Sequence, residues 1–290
     1  MSSSTEKTAE FESKIQRNPH PDFKAVEASR PPFQPSSSFH YTQTPSPNWK
    51  FGSGASISSP SSVQHRVINP YAADRPAHLN YKLLISTIIP RPIALVSTRS
   101  TDGKVTNLAP FSYFNTIGHD PPLFIIGFAS THKDSLNLLK ESGECTINII
   151  SEGFIEAANS TSVNAPLGVS EWEVSGLTEV YDCEEVKCAR VKEAVFSIEG
   201  KLESVKEFES RSVKGKVGTT LVVVEGVRFW AREDGINEEG SLIDPGLLRA
   251  VGRLGGITYG RVGEGWELPR VDWGKDLGGS EGWEGRVRRN

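Results

Sequence analysis

Polar side chains embedded in apolar runs are where this sequence offers chemistry. Ser97 and Thr98 close the run 93–98, Asn107, Ser112 and Asn115 punctuate the segment 107–115, and Asn148 interrupts the run 145–150. Hydroxyls and amides in such places either hydrogen-bond inside a core or turn toward a planar polar ligand, because a buried polar group left unpaired costs about 1–3 kcal/mol. For Asn148 both roles stand open. Pro110 lacks a backbone N–H, so a strand ladder must break beside it and free backbone groups of Leu108, Ala109 and Phe111. Lys133, Asp134 and Ser135 follow at an expected helix start. A cation, a hydroxyl and free backbone N–H groups together suit a phosphate. The same residues also read as a plain helix start, with Asp134 the cap and Lys133 solvated.

Other sites are excluded by spelling. Residues 252–256 read Gly-Arg-Leu-Gly-Gly, but they follow an expected helix and lack the dinucleotide fingerprint spacing. The stretch 215–220 has the letters of a phosphate loop in the wrong order. Cys183 and Cys188 have no second ligand pair, the six His are scattered, and no G-x-S-x-G elbow exists, so neither a metal site nor a serine nucleophile is expected. With Cys145 they make three cysteines, read as inert reduced thiols. The Asn159-Ser160-Thr161 sequon has no secretory signal to give it meaning.

The elements that must position these groups are mostly strands. The runs 93–98, 104–108, 123–128, 145–150 and 221–230 are short and β-branched, and Asp102-Gly103 sits at hairpin spacing. The segment 194–202 alternates apolar and polar residues, which predicts one buried and one wet face. Gly226 marks an expected bulge. Helices are expected over 135–141 capped by Asp134, over 152–159 capped by Ser151, and from Asp244-Pro245 through Val251. Many strands with few helices point to an antiparallel barrel or sandwich.

Composition divides the 290 residues in three. Residues 1–62 hold 15 Ser and 8 of the 18 Pro, too little apolar surface to offset ordering entropy, and are expected to be a disordered leader with a weak helix at 5–17. Residues 263–290 hold 7 Gly with Trp266, Trp273 and Trp283 among charges, which reads as a flexible tail or as a Trp that docks. The folded part is then 63–262, one domain. It carries the same net charge of −4 as the whole chain, so no basic surface for nucleic acid is expected. No apolar run approaches the length of a membrane span, and no signal or transit features stand at the start, so a cytoplasmic protein is expected.

The stretch 90–98 (Pro-Arg-Pro-Ile-Ala-Leu-Val-Ser-Thr) followed by 107–115 (Asn-Leu-Ala-Pro-Phe-Ser-Tyr-Phe-Asn) closely resembles the flavin reductase-like family of FMN-binding split barrels. The resemblance continues through Asp120-Pro121-Pro122, Lys133-Asp134-Ser135, Asn159-Ser160-Thr161-Ser162, Gly168-Val169-Ser170-Glu171, the 252–256 glycines, Tyr259 and Arg261. It runs colinearly over about residues 70–262. It implies a six-stranded antiparallel split β-barrel with a few short helices, a homodimer, and FMN near the subunit interface. By the same resemblance, Arg91, Ser97 and Thr98, with Asn107, Ala109, Pro110, Phe111 and Ser112, would line the isoalloxazine and ribityl chain. Lys133-Asp134-Ser135 would hold the phosphate, with Ser135 supplying the hydroxyl where the family usually has Thr. Thr161 and Ser162 would close over the flavin, and Arg253 would contribute near the site with Tyr259.

The activity so implied is NAD(P)H-dependent reduction of FMN by hydride transfer to its N5, the reduced flavin passing to an oxygenase partner or to oxygen. No catalytic side chain is demanded, since the cofactor carries the chemistry. Two rivals stand beside it: a non-catalytic protein that stores or senses FMN through the same residues, and a split barrel using pyridoxine phosphate or haem, where pyridoxal-type chemistry would want a different phosphate-binding set.

Overall fold

The computed structural model describes residues 18–35, 38–56, 63–129, 133–166 and 169–287. The expected helix at 5–17 and the Ser/Pro stretches at 36–37 and 57–62 lie outside the described residues. There are two compact units, a larger one built on 66–263 with the chain before residue 39, and a smaller one of 39–65 with 264–290. In the smaller unit His40–Tyr41 pairs in parallel with Glu264–Gly265. The rings of Trp273 and Trp283, on helices Trp273–Leu277 and Gly279–Val287, stand 5.9 Å apart.

The larger unit is built on one antiparallel sheet of β1 (Ala94–Arg99), β2 (Thr106–Phe111), β3 (Phe114–His119), β4 (Pro122–Phe128), β5 (Glu144–Ile149), β6 (Phe196–Glu209) and β7 (Val217–Ala231). Their order is β2-β1-β5-β6-β7-β4-β3. The unbroken apolar run of β1 reflects burial on both faces. Ala94 and Val96 join one core, while Ile93 and Leu95 join another with Leu108, Ile150, Phe154 and Trp172.

Strands β2 and β3 end the order on opposite sides, yet only Ser112 and Tyr113 separate them in the chain. Six strand spacings in a flat sheet would hold them about 29 Å apart. The three peptide links from Phe111 to Phe114 reach about 11 Å at most. The sheet therefore curls until its edges meet at this corner. Packing agrees: every strand contributes to a single core, from Val96 on β1 and Phe111 on β2 to Phe114, Ile126, Ile147, Ile198 and Val222. No β2–β3 ladder closes the seam among the described residues. The strands number seven rather than the expected six: Phe114–His119, not among the expected strand runs, is a strand of its own, separated from β2 by Ser112 and Tyr113 alone. Tyr113 O accepts from Gly127 N at 2.7 Å, and a Cβ on Gly127 would lie 3.0 Å from Tyr113 Cβ. A side chain there would press on Tyr113, which would have to shift by a few tenths of an ångström.

The helices α1 (Ala77–Thr87), α2 (Asp134–Ser142), α3 (Ile155–Ser160) and α4 (Glu171–Ser175) are short. Helix α2 buries Leu136 and Leu139 in the curled core and stops at Gly143, whose φ of 72° is left-handed. Its N-cap is Lys133, not Asp134, which instead begins the helix. Ser151 likewise makes no cap bond; a 3-10 turn, Glu152–Phe154, precedes α3. Asp244 does cap, accepting from Gly246 N at 2.7 Å, but the helix ends at Leu248 because Arg249 turns left-handed (φ 45°). The chain then enters a ribbon of β8 (Val251–Arg253) and β9 (Tyr259–Arg261). The bulge expected near Gly226 is present as a register shift between Gly226 and Arg228.

The wet face expected on β6 holds only at Lys201 and Glu203, which are exposed; Ser197 and Glu199 are buried. The segment 182–191 covers them. Glu199 Oε1 accepts from Glu184 N (3.0 Å) and Trp230 Nε1 (2.6 Å), and Oε2 from Glu185 N (2.6 Å) and Val186 N (3.0 Å). Burial pushes this carboxyl up, but the four donors together outweigh it and hold it below its ordinary range. Its stabilising effect is thus complete above the ordinary carboxylate pKa and is lost as pH falls through the lowered one. Glu199→Gln would aim an amide N–H₂ at two N–H donors. It should cost about 1–3 kcal/mol at neutral pH and make the acid branch of a thermal-melt profile shallower. An unchanged melting profile would refute this role.

Candidate functional site

The uncapped end of α2 lies against the edge strand β2. Ser135 Oγ donates to Asn107 Oδ1 at 3.0 Å, and both residues are buried. Across the β1–β2 ladder Asn107 pairs with Thr98, whose buried Oγ1 has no hydrogen-bond partner. Lys133, half-buried, makes no side-chain cap bond, and among the described residues no side chain satisfies the first-turn N–H groups of α2. These donors and the helix dipole favour an anion. Ala109, Pro110 and Phe111 continue β2, half-buried, and Ser112, also half-buried, follows it into the corner. Pro110 faces Leu95 in the register, a position where an edge strand needs no N–H.

Glu171, at the start of α4, is part of this group although the residues alone gave it no role. Its Oε2 accepts from Leu108 N at 3.5 Å. Burial above all raises its carboxyl and the nearby Asp134 charge adds to that, while its own N–H and that of Leu108 work the other way. The available signal was an acid placed directly before a core tryptophan, Trp172.

A second group lies around the β8–β9 ribbon. Arg91 and Arg253 exchange backbone bonds of 3.1 and 3.0 Å. The Arg91 guanidinium turns inward, donating to Ile85 O (2.5 Å), Ile88 O (2.9 Å) and Gly255 O (3.4 Å), with its Nε unpartnered. Arg253 lies over the Tyr259 ring at 4.3 Å and donates to Gly256 O. Tyr259 Oη donates to Asn159 Oδ1 at 2.7 Å, and Asn159 O accepts from Ser162 Oγ at 2.7 Å. Thr161 Oγ1 is turned to Ala158 O at 2.8 Å. Asn159 is the link the residues alone did not reveal. No hydrogen bond among the described residues joins the two groups.

Two candidates fall outside both groups. Ser97 alternates to the opposite face of β1 from Thr98 and is buried. Asn148 is structural: it donates to Leu95 O (3.0 Å) and Thr146 Oγ1 (3.2 Å) and accepts from Val191 N (2.9 Å) and Ser197 Oγ (2.7 Å). All its capacity is used. Among the described residues no group of three or more His, Cys, Asp or Glu could hold a metal, and no helix is long and apolar enough to cross a membrane. Burial foremost pushes the Cys183 and Cys188 thiols up to about 12.

Residues 86–253 match the model of the flavin reductase like domain. The chain belongs to the flavin reductase-like family. An uncharacterized protein of Halalkalibacterium halodurans is 35% identical over 207 residues, covering 70% of this chain and 95% of its own. Nitrilotriacetate monooxygenase component B from Bacillus cereus superposes with a TM-score of 0.66 at 33% identity, over 71% of this chain and all of that one. A Shewanella frigidimarina protein with a split barrel domain shares the fold, with a TM-score of 0.58 at 23% identity over 69% and 94% of the chains. This flavin reductase-like protein shares with it a curled antiparallel sheet, here of seven strands with no β2–β3 ladder among the described residues.

The raised Glu171 carboxyl has a measurable consequence. The folded chain binds that proton more tightly than the unfolded one, so stability falls as pH rises from the ordinary carboxylate pKa through the raised one. Glu171→Gln removes the effect, and its melting temperature should gain on the parent between pH 4 and 7. Parallel profiles for the two proteins would contradict a raised Glu171.

Proposed function

We propose that this chain is an FMN-binding oxidoreductase that uses NAD(P)H, its folded domain spanning 63–262 and working as a homodimer. One observation carries the reading: the half-buried Lys133 sits at an uncapped helix N-terminus beside the buried Ser135–Asn107 pair, in a chain of this family. The residues fit the cofactor. One cation and one set of helix N–H groups match the single phosphate of FMN, and the unpartnered Thr98 hydroxyl marks polar capacity unused by the fold.

Bound flavin supplies a two-electron centre that takes hydride from a nicotinamide. The chain binds and orients. Lys133, Ser135 and the α2 N–H groups, with Asp134 in the same turn, hold the phosphate. Asn107 keeps Ser135 in place, and Ala109, Pro110, Phe111 and Ser112 offer backbone and apolar surface to the ring. Thr161 and Ser162, tied through Asn159 and Tyr259 to Arg253, close the site, while Arg91 braces the ribbon that carries Arg253. No side chain has to move a proton for the hydride step. The likeness to a monooxygenase component supports delivery of reduced flavin to an oxygenase partner.

The test is steady-state oxidation of NADH and NADPH by the purified chain with FMN and, separately, FAD. Multiple turnovers with FMN are expected. Stoichiometric binding without turnover would leave a flavin carrier, and no binding would refute the proposal. Lys133→Glu replaces attraction by repulsion and should weaken FMN at least about tenfold, roughly 1.4 kcal/mol, with the fold retained. Unchanged affinity would overturn the phosphate assignment.

A further inference from the structure

The outer side of β2 raises a bonding problem that one residue solves. This edge strand has a single ladder neighbour, β1. In an antiparallel ladder alternate residues point their N–H and C=O away from the neighbour. Leu108, opposite Ser97, is such a residue, since its N–H reaches Glu171 instead of β1. Leu108 has no exposed surface, so water cannot satisfy this donor, and an orphaned buried N–H is costly. The next outward position is Pro110, which has no N–H to satisfy. Glu171 therefore meets the requirement of the edge at Leu108. Its own place is set by Trp172, buried in the same core as Leu108.

Leu108 lies between Asn107, which holds Ser135 at the mouth of α2, and Ala109, where the half-buried stretch begins. We infer that Glu171 is the positioning residue of the flavin site: by accepting from Leu108 N it fixes β2 so that Asn107 and the 109–112 backbone stand at the height of the α2 N-terminus. It touches neither the phosphate nor the ring in this assignment. The inference rests on the flavin reading for its function and on the Leu108 bond for its structure.

The full chain with Glu171→Gln, Glu171→Asp and Glu171→Leu separates these. Gln keeps an acceptor at the same reach, Asp keeps the charge but is one methylene short, and Leu keeps the bulk alone. FMN affinity by fluorescence quenching should stay within about threefold for Gln and fall about tenfold or more for Asp and Leu, the scale of one hydrogen bond to a charged group. Hydrogen exchange at the Leu108 amide should rise in the same order. Rescue by Gln but not by Asp, with protection lost at the Leu108 amide in particular, is the signature of acceptor position; a contribution from charge would favour Asp, and one from general stability would not single out the Leu108 amide. Parent-like affinity and exchange in the Leu variant, or rescue by Asp and not Gln, would overturn the inference. Should Leu fail to fold, the Gln–Asp comparison decides. If the parent binds no FMN, the flavin reading fails, while the Leu108 exchange series still tests the bond.

Discussion

The chain crosses from one outer strand of its sheet to the other through Ser112 and Tyr113 alone, and most of the architecture follows from that short step. Because the connection cannot span a flat sheet, the seven strands curl until their apolar faces share one core, which α2 fills with Leu136 and Leu139. The curl leaves a seam instead of a closed ladder, and the residues leading into the seam are those of the candidate site. Edge backbone on β2, which would be a liability in an open sheet, is covered at Leu108 and left half-buried from Ala109 to Ser112. The same corner packs tightly at Gly127, where a Cβ would stand 3.0 Å from that of Tyr113.

Polar groups inside this fold divide by whether the fold itself uses them. Asn148 and Glu199 have every acceptor engaged and fasten the segment 182–191 over β5 and β6. Thr98 and the α2 N-terminus are the opposite case, buried or half-buried groups with capacity that no side chain among the described residues takes up. Full satisfaction marks structure, and unused capacity leaves room for a partner the fold does not supply, a ligand or water.

How much was legible in the sequence can be seen in particular residues. The β1 run was plain because burial on both faces writes an unbroken apolar string, and Asp102-Gly103 and Gly226 announced their turn and bulge. Glu199 was misread as solvent-facing because three of its four donors, the N–H groups of 184–186, are backbone and leave no trace in alternation. The seventh strand, Phe114–His119, was missed because only Phe114 in it is buried, so no apolar run announces it. Lys133 in place of Asp134 at the α2 cap is a shift of one residue, invisible to spelling, yet it leaves the first turn open for an anion. The site motifs were recognisable as an ordered set; Glu171 was within one of them, but its bond to Leu108 depends on which way an edge strand turns its N–H.

The account stands or falls on a phosphate held at the α2 N-terminus. The most direct measurement compares FMN with riboflavin, which carries the same ring and ribityl chain without the phosphate, by flavin fluorescence titration of the purified chain. FMN should bind at least about tenfold more tightly, the scale of charge-assisted hydrogen bonds to a phosphate. Equal affinity for the two would contradict it.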